Sequence, residues 1–376
     1  MIYFIAFMAV AAEYGFDPAG SRYISHAKEP LVRIVFNNGM FDNPNALGHS
    51  VAPVVAIIYF LMFWKRPVFV KEGALALWFL PFYCVYLTAS KGAFVSAFVG
   101  VMAALLFGRA LITQIIMIVL AATVGWGAMQ LLPRFGEVKW GEGRSDEAIR
   151  GRLQSLDWGY KKLQTSSTGV GWYQYIPTFT REDPAKAIAP HNAYNMVGAE
   201  LGYGGLFLFI GILYCCVRSV ITVKTEDVDE ERIRRVVFVL TLSYAASGWV
   251  IDFAYRATFF LVVATAAAFH RVMLAKNVAS ETKETDELAG FRAVRATRGE
   301  GRLFQPTPAF AGVPSAMGRQ MLQPRRLAPG RGATVTEPDG PRVFMKWKRI
   351  GIVDIILMYV LTEQLISFWL WYKTNA

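Results

Sequence analysis

AYNMVGAELGYGGLFLFIGILYCCV, residues 193–217, is twenty-five residues long, with no basic side chain and one acid, Glu200. A helix that crosses a bilayer needs about 20 mostly apolar residues, so this run is long enough to span a membrane. It starts abruptly after Pro190-His191-Asn192, the end of a sixty-residue polar stretch from Pro133 to Asn192. Long apolar runs alternating with polar segments predict a bundle of membrane helices, and the polar stretch beside this one is where reactive side chains collect.

Working outward, further apolar runs lie at 47–64, 73–89, 92–108, 110–132, 236–251 and 257–274, with 1–12 as a short or truncated first span. Ile350 to Tyr372 is a last candidate, carrying Asp354, Glu363 and Gln364, and its polar groups leave open whether it spans, lies in the interface or fails to insert. The expected fold is therefore an all-α integral membrane protein, a polytopic helix bundle of about eight to nine spans by this count. The chain has 376 residues, 54% of them apolar and 14% aromatic, with net charge +11, too greasy for a soluble protein of this length. Its basic residues are scattered over loops and a tail, which argues against nucleic-acid binding.

Alternating the spans collects Lys65, Arg66, Lys71, Arg109, Arg218, Lys224, Arg232, Arg234 and Arg235 on one side, expected to be cytoplasmic. The 133–192 loop then faces away from the cytoplasm. Three domains follow: a polytopic membrane domain over 1–274, a disordered cytoplasmic tail over 275–346, and a terminal membrane or interfacial helix over 347–376. The tail is assigned from seven prolines, eight glycines and twelve basic residues. Cys84, Cys215 and Cys216 lie in apolar runs without metal-ligand spacing, so neither a zinc site nor a disulfide framework is expected.

Within the loop, Ile149, Leu153, Leu156, Tyr160 and Leu163 recur at helical spacing, predicting an amphipathic helix with Ser145 as its N-cap. Arg150, Arg152, Lys161 and Lys162 cluster on it, and helical phase sets Arg152 beside the apolar stripe while Arg150 and Lys161 point away. Arg152 either clamps a diphosphate through paired charge-assisted hydrogen bonds or pairs with a carboxylate such as Asp157. His191 is either a hydrogen-bonded structural residue or a proton-transfer group. Lys91, in Ser90-Lys91-Gly92 between two spans, binds phosphate as a point charge or snorkels. Phe41-Asp42-Asn43-Pro44-Asn45 offers amides for sugar hydroxyls or for helix capping. Gly169-Val170-Gly171 is a tight turn rather than a nucleotide loop, Asp227-Val228-Asp229 a solvated charged loop rather than a metal pair, and Asp252 with Arg256 a turn pair.

Four segments in order resemble the O-antigen ligase and polymerase family, polytopic bacterial glycosyltransferases that use polyprenyl-diphosphate-linked sugars. They are Phe41 to Gly48, Leu87 to Gly92, Gly151-Arg152-Leu153 through Gly169-Val170-Gly171, and His191-Asn192-Ala193-Tyr194 with Glu200 to Gly205. The resemblance covers roughly residues 35–215. It implies a GT-C-like enzyme of the inner membrane working on its extracytoplasmic face, with a polyprenyl-diphosphate-linked glycan as donor, a saccharide or lipid as acceptor, membrane lipids around it, and no cofactor. Arg152 matches one of the family's diphosphate-binding arginines, and His191 matches the histidine proposed to activate the acceptor hydroxyl. Lys91 stands where the family commonly has arginine, so a contact there is a point charge without the bidentate fork. Arg150, Asn43, Asn45 and Asn192 complete the expected substrate-binding set. Family members have more spans ahead of the first matching segment, so an N-terminal portion is expected to be missing. The competing readings are a transporter or flippase for an anionic lipid-linked solute, and an inactive truncated family member.

Overall fold

The computed structural model describes residues 2–17, 21–24, 33–36, 41, 43–62, 68–131, 147–223, 225, 227–300 and 350–375. Eleven α-helices and one two-stranded hairpin occur among them. The first helices are α1 (Ile2–Glu13), α2 (Pro44–Met62), α3 (Val68–Thr88), α4 (Lys91–Leu106) and α5 (Leu111–Leu131). The hairpin pairs β1 (Ser21–Ile24) antiparallel with β2 (Arg33–Phe36), an element the apolar pattern does not announce. Ile34 and Phe36 of β2 are buried with Leu47, Val51, Cys84, Val85 and Ala93 in a core shared with α1 through α4. The sequence makes that segment β for a local reason: Arg33-Ile34-Val35-Phe36 is rich in branched and aromatic residues that suit a pleated strand.

The polar loop contributes α6 (Glu147–Thr165) and α7 (Tyr175–Glu182). On α6, Leu156, Tyr160 and Leu163 are buried, so the amphipathic stripe does face the bundle. Ser145 lies outside the described residues. Helix α8 (Ala193–Thr222) follows, and it is broken inside: Gly202 has φ 66° and ψ −168°, a backbone conformation essentially reserved for glycine. A break frees backbone carbonyls, which must find partners when buried. Val170 N–H donates to Ala199 O at 2.9 Å and Gly171 N–H to Glu200 O at 2.9 Å. The Gly169-Val170-Gly171 turn thus fills the break, and a Cβ on Gly169 would collide with the Glu200 backbone while one on Gly202 would collide with Ser167 O.

Helix α9 (Val228–Gly248) begins at the charge run read above as a loop. The run is instead the helix's first two turns, because its acids and bases are spaced to pair on a helix surface. Asp229 pairs with Arg232 at 2.8 Å, and Glu231 with Arg234 at 2.7 Å and Arg235 at 2.9 Å. Asp227 is the N-cap, with Asp229, Glu230 and Glu231 set against the helix dipole.

The last helices are α10 (Ala257–Glu300) and α11 (Ile352–Asn375). Met1–Leu274 with Met345–Ala376 form one compact unit, and Ala275–Phe344 a second. Residues 275–300 continue α10 as helix rather than as the disordered chain expected of them. All seven prolines of the 275–346 segment lie beyond residue 305, so averaging composition over it hid a proline-free stretch of Ala, Glu, Lys and Arg. Residues 301–346, the rest of the expected tail, lie outside the described residues, as do 347–349 of the terminal segment. Helix α11 packs against α8 in antiparallel sense: Asp354 meets Tyr214 and Arg218, while Glu363 accepts from the Tyr203 hydroxyl at 2.7 Å. The Arg218–Asp354 pair, 2.6 Å apart, is buried, and Gly351 N–H adds a bond to the same carboxylate at 2.7 Å. A buried charge needs this kind of full pairing, which makes the acid in α11 an anchor rather than an obstacle to burial. Ala193–Thr222, Ala257–Asn277 and Ile352–Thr374 are long and apolar enough to cross a membrane.

Candidate functional site

Two helices start the same way, and their starts carry two of the residues singled out above. Before α4, Ala89 adopts φ 44° and Ser90 caps the helix, its Oγ accepting from Ala93 N–H at 3.3 Å. Before α8, His191 adopts φ 44° and Asn192 caps, its Oδ1 accepting from Asn195 N–H at 2.9 Å. A left-handed residue followed by an extended cap turns the chain sharply into each helix, which sets Lys91 on the first turn of α4 and His191 just ahead of α8.

The C-terminal end of α9 lies against both starts. Asn192 Nδ2 donates to Trp249 O at 3.3 Å, while next to it Val250 Cγ2 lies 2.9 Å from where a Cβ on Gly92 would stand. The same absent Cβ would lie 2.8 Å from His49 Nε2. Glycine at 92 therefore lets the α4 start close on α2 and α9 together. His49 is buried, with Nδ1 3.0 Å from Ser247 Oγ and 3.3 Å from Ser96 Oγ, and its Nε2 has no hydrogen-bond partner among the described residues. Arg152, exposed on α6, lies within electrostatic reach of both His49 and His191. Lys91, His49, His191 and Arg152 are thereby gathered around the end of α9.

His191 is half-buried. Burial and the Arg152 guanidinium hold its imidazole below the usual histidine range, while the Asp252 carboxylate pulls the other way. The ring is consequently neutral at neutral pH, with an acid in place to favour its protonated form. Asp252 was expected only in a turn pair with Arg256; its charge instead bears on His191.

The remaining expected residues fall into two groups. Arg150 is exposed on α6, and the local acid Asp157 pairs with Lys161 at 2.7 Å and with Lys373 of α11. Asn43, Asn45 and Asn192 have work inside the fold. Asn43 Oδ1 accepts from Asn45 N–H at 2.8 Å, and Asn45 Oδ1 accepts from Arg33 Nη2 at 2.8 Å. Arg33, buried on β2, also donates from Nε to Thr88 O at 2.9 Å, immediately before Ala89-Ser90-Lys91. It ties the start of α2 to the end of α3 and so steadies Lys91. Neither Arg33 nor His49 was singled out from the sequence. A histidine inside an apolar run, directly after Gly48, was a signal for one of them, since ionisable groups in such runs carry a cost and are kept for a purpose.

Behind the His191 end, α6, α7 and α8 are joined by buried hydrogen bonds. Tyr175 OH donates to Ser155 O at 2.6 Å, and Asn195 Nδ2 donates to Ser155 O at 3.1 Å and to Tyr175 OH at 3.0 Å. Trp158 Nε1 donates to Glu182 Oε2 at 2.9 Å and stacks on Phe179 with ring centroids 4.7 Å apart. These bonds tie α6, which carries Arg152, to the first turn of α8, next to His191. Among the described residues no group of three or more His, Cys, Asp or Glu side chains is arranged to hold a metal ion.

Apolar helices of spanning length and a cluster of cations and histidines at helix ends define a helical membrane protein with a polar site. Residues 75–210 match the model of the O-antigen ligase family. The match includes Lys91, Arg150, Arg152, His191 and Asn192 and stops short of Asn43 and Asn45. No curated protein matches the chain.

Proposed function

We propose that this protein transfers or polymerises a polyprenyl-diphosphate-linked glycan onto a saccharide or lipid acceptor in cell-surface polysaccharide biosynthesis. The observation that carries the reading is the meeting of the α4 start, with Lys91, and the His191–Asn192 turn at the end of α9, both starts lying in the segment that matches the O-antigen ligase family, with the charges of Arg152 and Asp252 acting on His191. The neutral His191 ring accepts the proton of the acceptor hydroxyl as the oxygen attacks the anomeric carbon. The bond from that carbon to the diphosphate oxygen breaks, and the diphosphate leaves with its electron pair. Arg152 and Lys91 stabilise the negative charge that develops there, and Asp252 stabilises the imidazolium as it forms. Attack in line with the leaving group inverts the anomeric configuration. Arg150, exposed on α6, adds positive charge to the helix that carries Arg152, while Asn43, Asn45 and Asn192 act by holding the helix starts in place. The wider setting is a GT-C-like bundle of about eight to nine spans in the inner membrane, with the 133–192 loop extracytoplasmic; α2, α3 and α5, of 19, 21 and 21 residues, supply lengths suited to that count.

The test is transfer by purified full-length chain supplied with a lipid-diphosphate-linked glycan and candidate acceptors. His191→Asn is the informative variant, because asparagine tolerates the left-handed backbone at this position. It is expected to lose about 10²–10⁴ in rate, and Arg152→Ala about 10²–10³. Full activity in both variants would remove the assignment.

A second reading, a transporter or flippase for an anionic lipid-linked solute, is favoured by one feature, the interruption of α8 beside Glu200. The break is filled by the 167–171 turn, which weighs against a solute site there. Flux of a fluorescent polyprenyl diphosphate across proteoliposomes, without acceptor, separates the two.

A further inference from the structure

Trp172, Tyr173 and Tyr255 form a cluster that stability alone does not explain. Trp172 and Tyr173 are 64% and 57% exposed, in the short segment between α6 and α7, and Tyr255 belongs to the turn between α9 and α10. Their rings nonetheless pack on one another. Trp172 meets Tyr173 edge to face at 4.8 Å, and Tyr255 completes the group at 6.2 Å from Trp172 and 5.8 Å from Tyr173. Tyr173 holds φ 58°, a left-handed conformation that costs energy for a bulky residue and persists only where the surroundings enforce it.

The segment is anchored two residues on by Glu200, a carboxylate only 2% exposed, just before the break in α8. Its Oε1 accepts from Tyr175 N–H at 2.9 Å, and the Tyr173 N–H and the Tyr255 hydroxyl lie near enough to act on the same carboxyl. Neither Glu200 Oε2 nor Tyr255 OH completes a hydrogen bond of ordinary geometry. One buried acid thus lies where two separate segments meet, and the exposed rings of Trp172 and Tyr173 pack beside the half-buried Tyr255. The 167–171 turn, locked into the α8 break, fixes the same segment from the other side.

We infer that this aromatic shelf is a saccharide-binding subsite that stacks pyranose rings of the glycan or acceptor, away from the reacting bond. This rests on the glycosyl-transfer reading above. Rigid, exposed indole and phenol faces suit the apolar C–H faces of sugar rings. Position agrees with the ligand. Tyr255 lies three residues from Asp252, whose charge acts on His191, and Glu200 is eight residues along α8 from Asn192, about 12 Å at helical rise. An oligosaccharide reacting at His191 would reach the shelf with a more distant unit.

The test is binding of bacterial-surface oligosaccharides on a glycan array by detergent-solubilised full chain, with transfer activity measured in parallel. Trp172→Ala and Tyr173→Ala, both at exposed positions, are expected to weaken retention at least about ten-fold, with Trp172→Phe recovering part of it. In transfer, they raise KM for the glycan and spare kcat. His191→Asn should bind as wild type does while losing turnover. Equal retention by wild type and Trp172→Ala, or no glycan retained by wild type, overturns the proposal. So does quenching of Trp172 by brominated lipid in nanodiscs with glycan binding unchanged, which would make the cluster a membrane anchor. Failure of the transfer reading shows separately, as full turnover in His191→Asn.

Discussion

The starts of α4 and α8 share a left-handed residue, an extended cap and a position against the end of α9, yet they are built differently. At α4 the left-handed residue is a buried alanine, the cap bond is long, and closeness comes from having no side chain at Gly92. At α8 the left-handed residue is His191 itself, the cap bond is shorter, and the helix behind it is held by buried polar contacts and by a turn inserted in its break. The α4 start presents a flexible ammonium on a four-carbon stem, which tolerates small errors of position. On the proposed reaction, the α8 start presents a ring nitrogen that must meet one proton, which does not. The tighter construction accompanies the more demanding group.

The sharpest way to break this contrast is at the glycines. Gly202→Ala puts a side chain into a backbone conformation that only glycine adopts readily and drives it into Ser167 O. Loss of the monodisperse folded protein in detergent, seen by size-exclusion chromatography, is the expected result. Gly92→Ala asks only that His49 and Val250 give way, an overpacking cost of about 1–3 kcal/mol. The protein should fold with a lowered Tm and weakened donor binding through Lys91. If Gly92→Ala proves the more damaging of the two, the α8 start is not the more tightly built.

The caps give a smaller difference in the same direction. Asn192→Ala removes a cap and the bond to Trp249 and should cost about 1–2 kcal/mol in thermal unfolding, whereas Ser90→Ala should cost about 0.5–1 kcal/mol. Smallest in energy but most specific is the pH profile of transfer. If His191 is the base of the proposed transfer, its pKa below the usual histidine range means that activity falls only as the medium becomes acidic. Arg152→Gln removes a charge that lowers the imidazole pKa, so the acid limb of its residual activity should move to higher pH. Asp252→Asn removes a charge that raises it, so its limb should move to lower pH. An acid limb that stays put in both variants would detach His191 from the titration.

Much of the architecture was legible in the residues because it depends on local periodicity. The stripe Leu156, Tyr160, Leu163 sets the buried face of α6 wherever that helix lies, and apolar run length marks α8, the first part of α10, and α11. His191 and Arg152 were legible as candidates because one opens an apolar run and the other borders an apolar stripe. Where the reading averaged over a long window it failed: helix over 275–300 was lost beneath prolines that all lie further on. The charge run at 227–235 was mistaken for a loop because the pairing that makes it helical lies at three- and four-residue spacing, which net charge does not register.

By itself, then, the sequence determined that this is a bundle of apolar helices with a polar, basic segment preceding residue 193, since transfer from water to an apolar surrounding depends on composition and short-range pattern. Only the tertiary structure decided which polar groups meet. Ser247 reaches His49 across 198 positions, Asp354 reaches Arg218 across 136, and Trp249 receives Asn192 across 57. A hydrogen bond or buried ion pair exists only within about 3 Å and in a narrow range of angles. No local pattern encodes such contacts; they arise when packed helices bring distant segments together, and they set His191 within reach of the charges of Arg152 and Asp252.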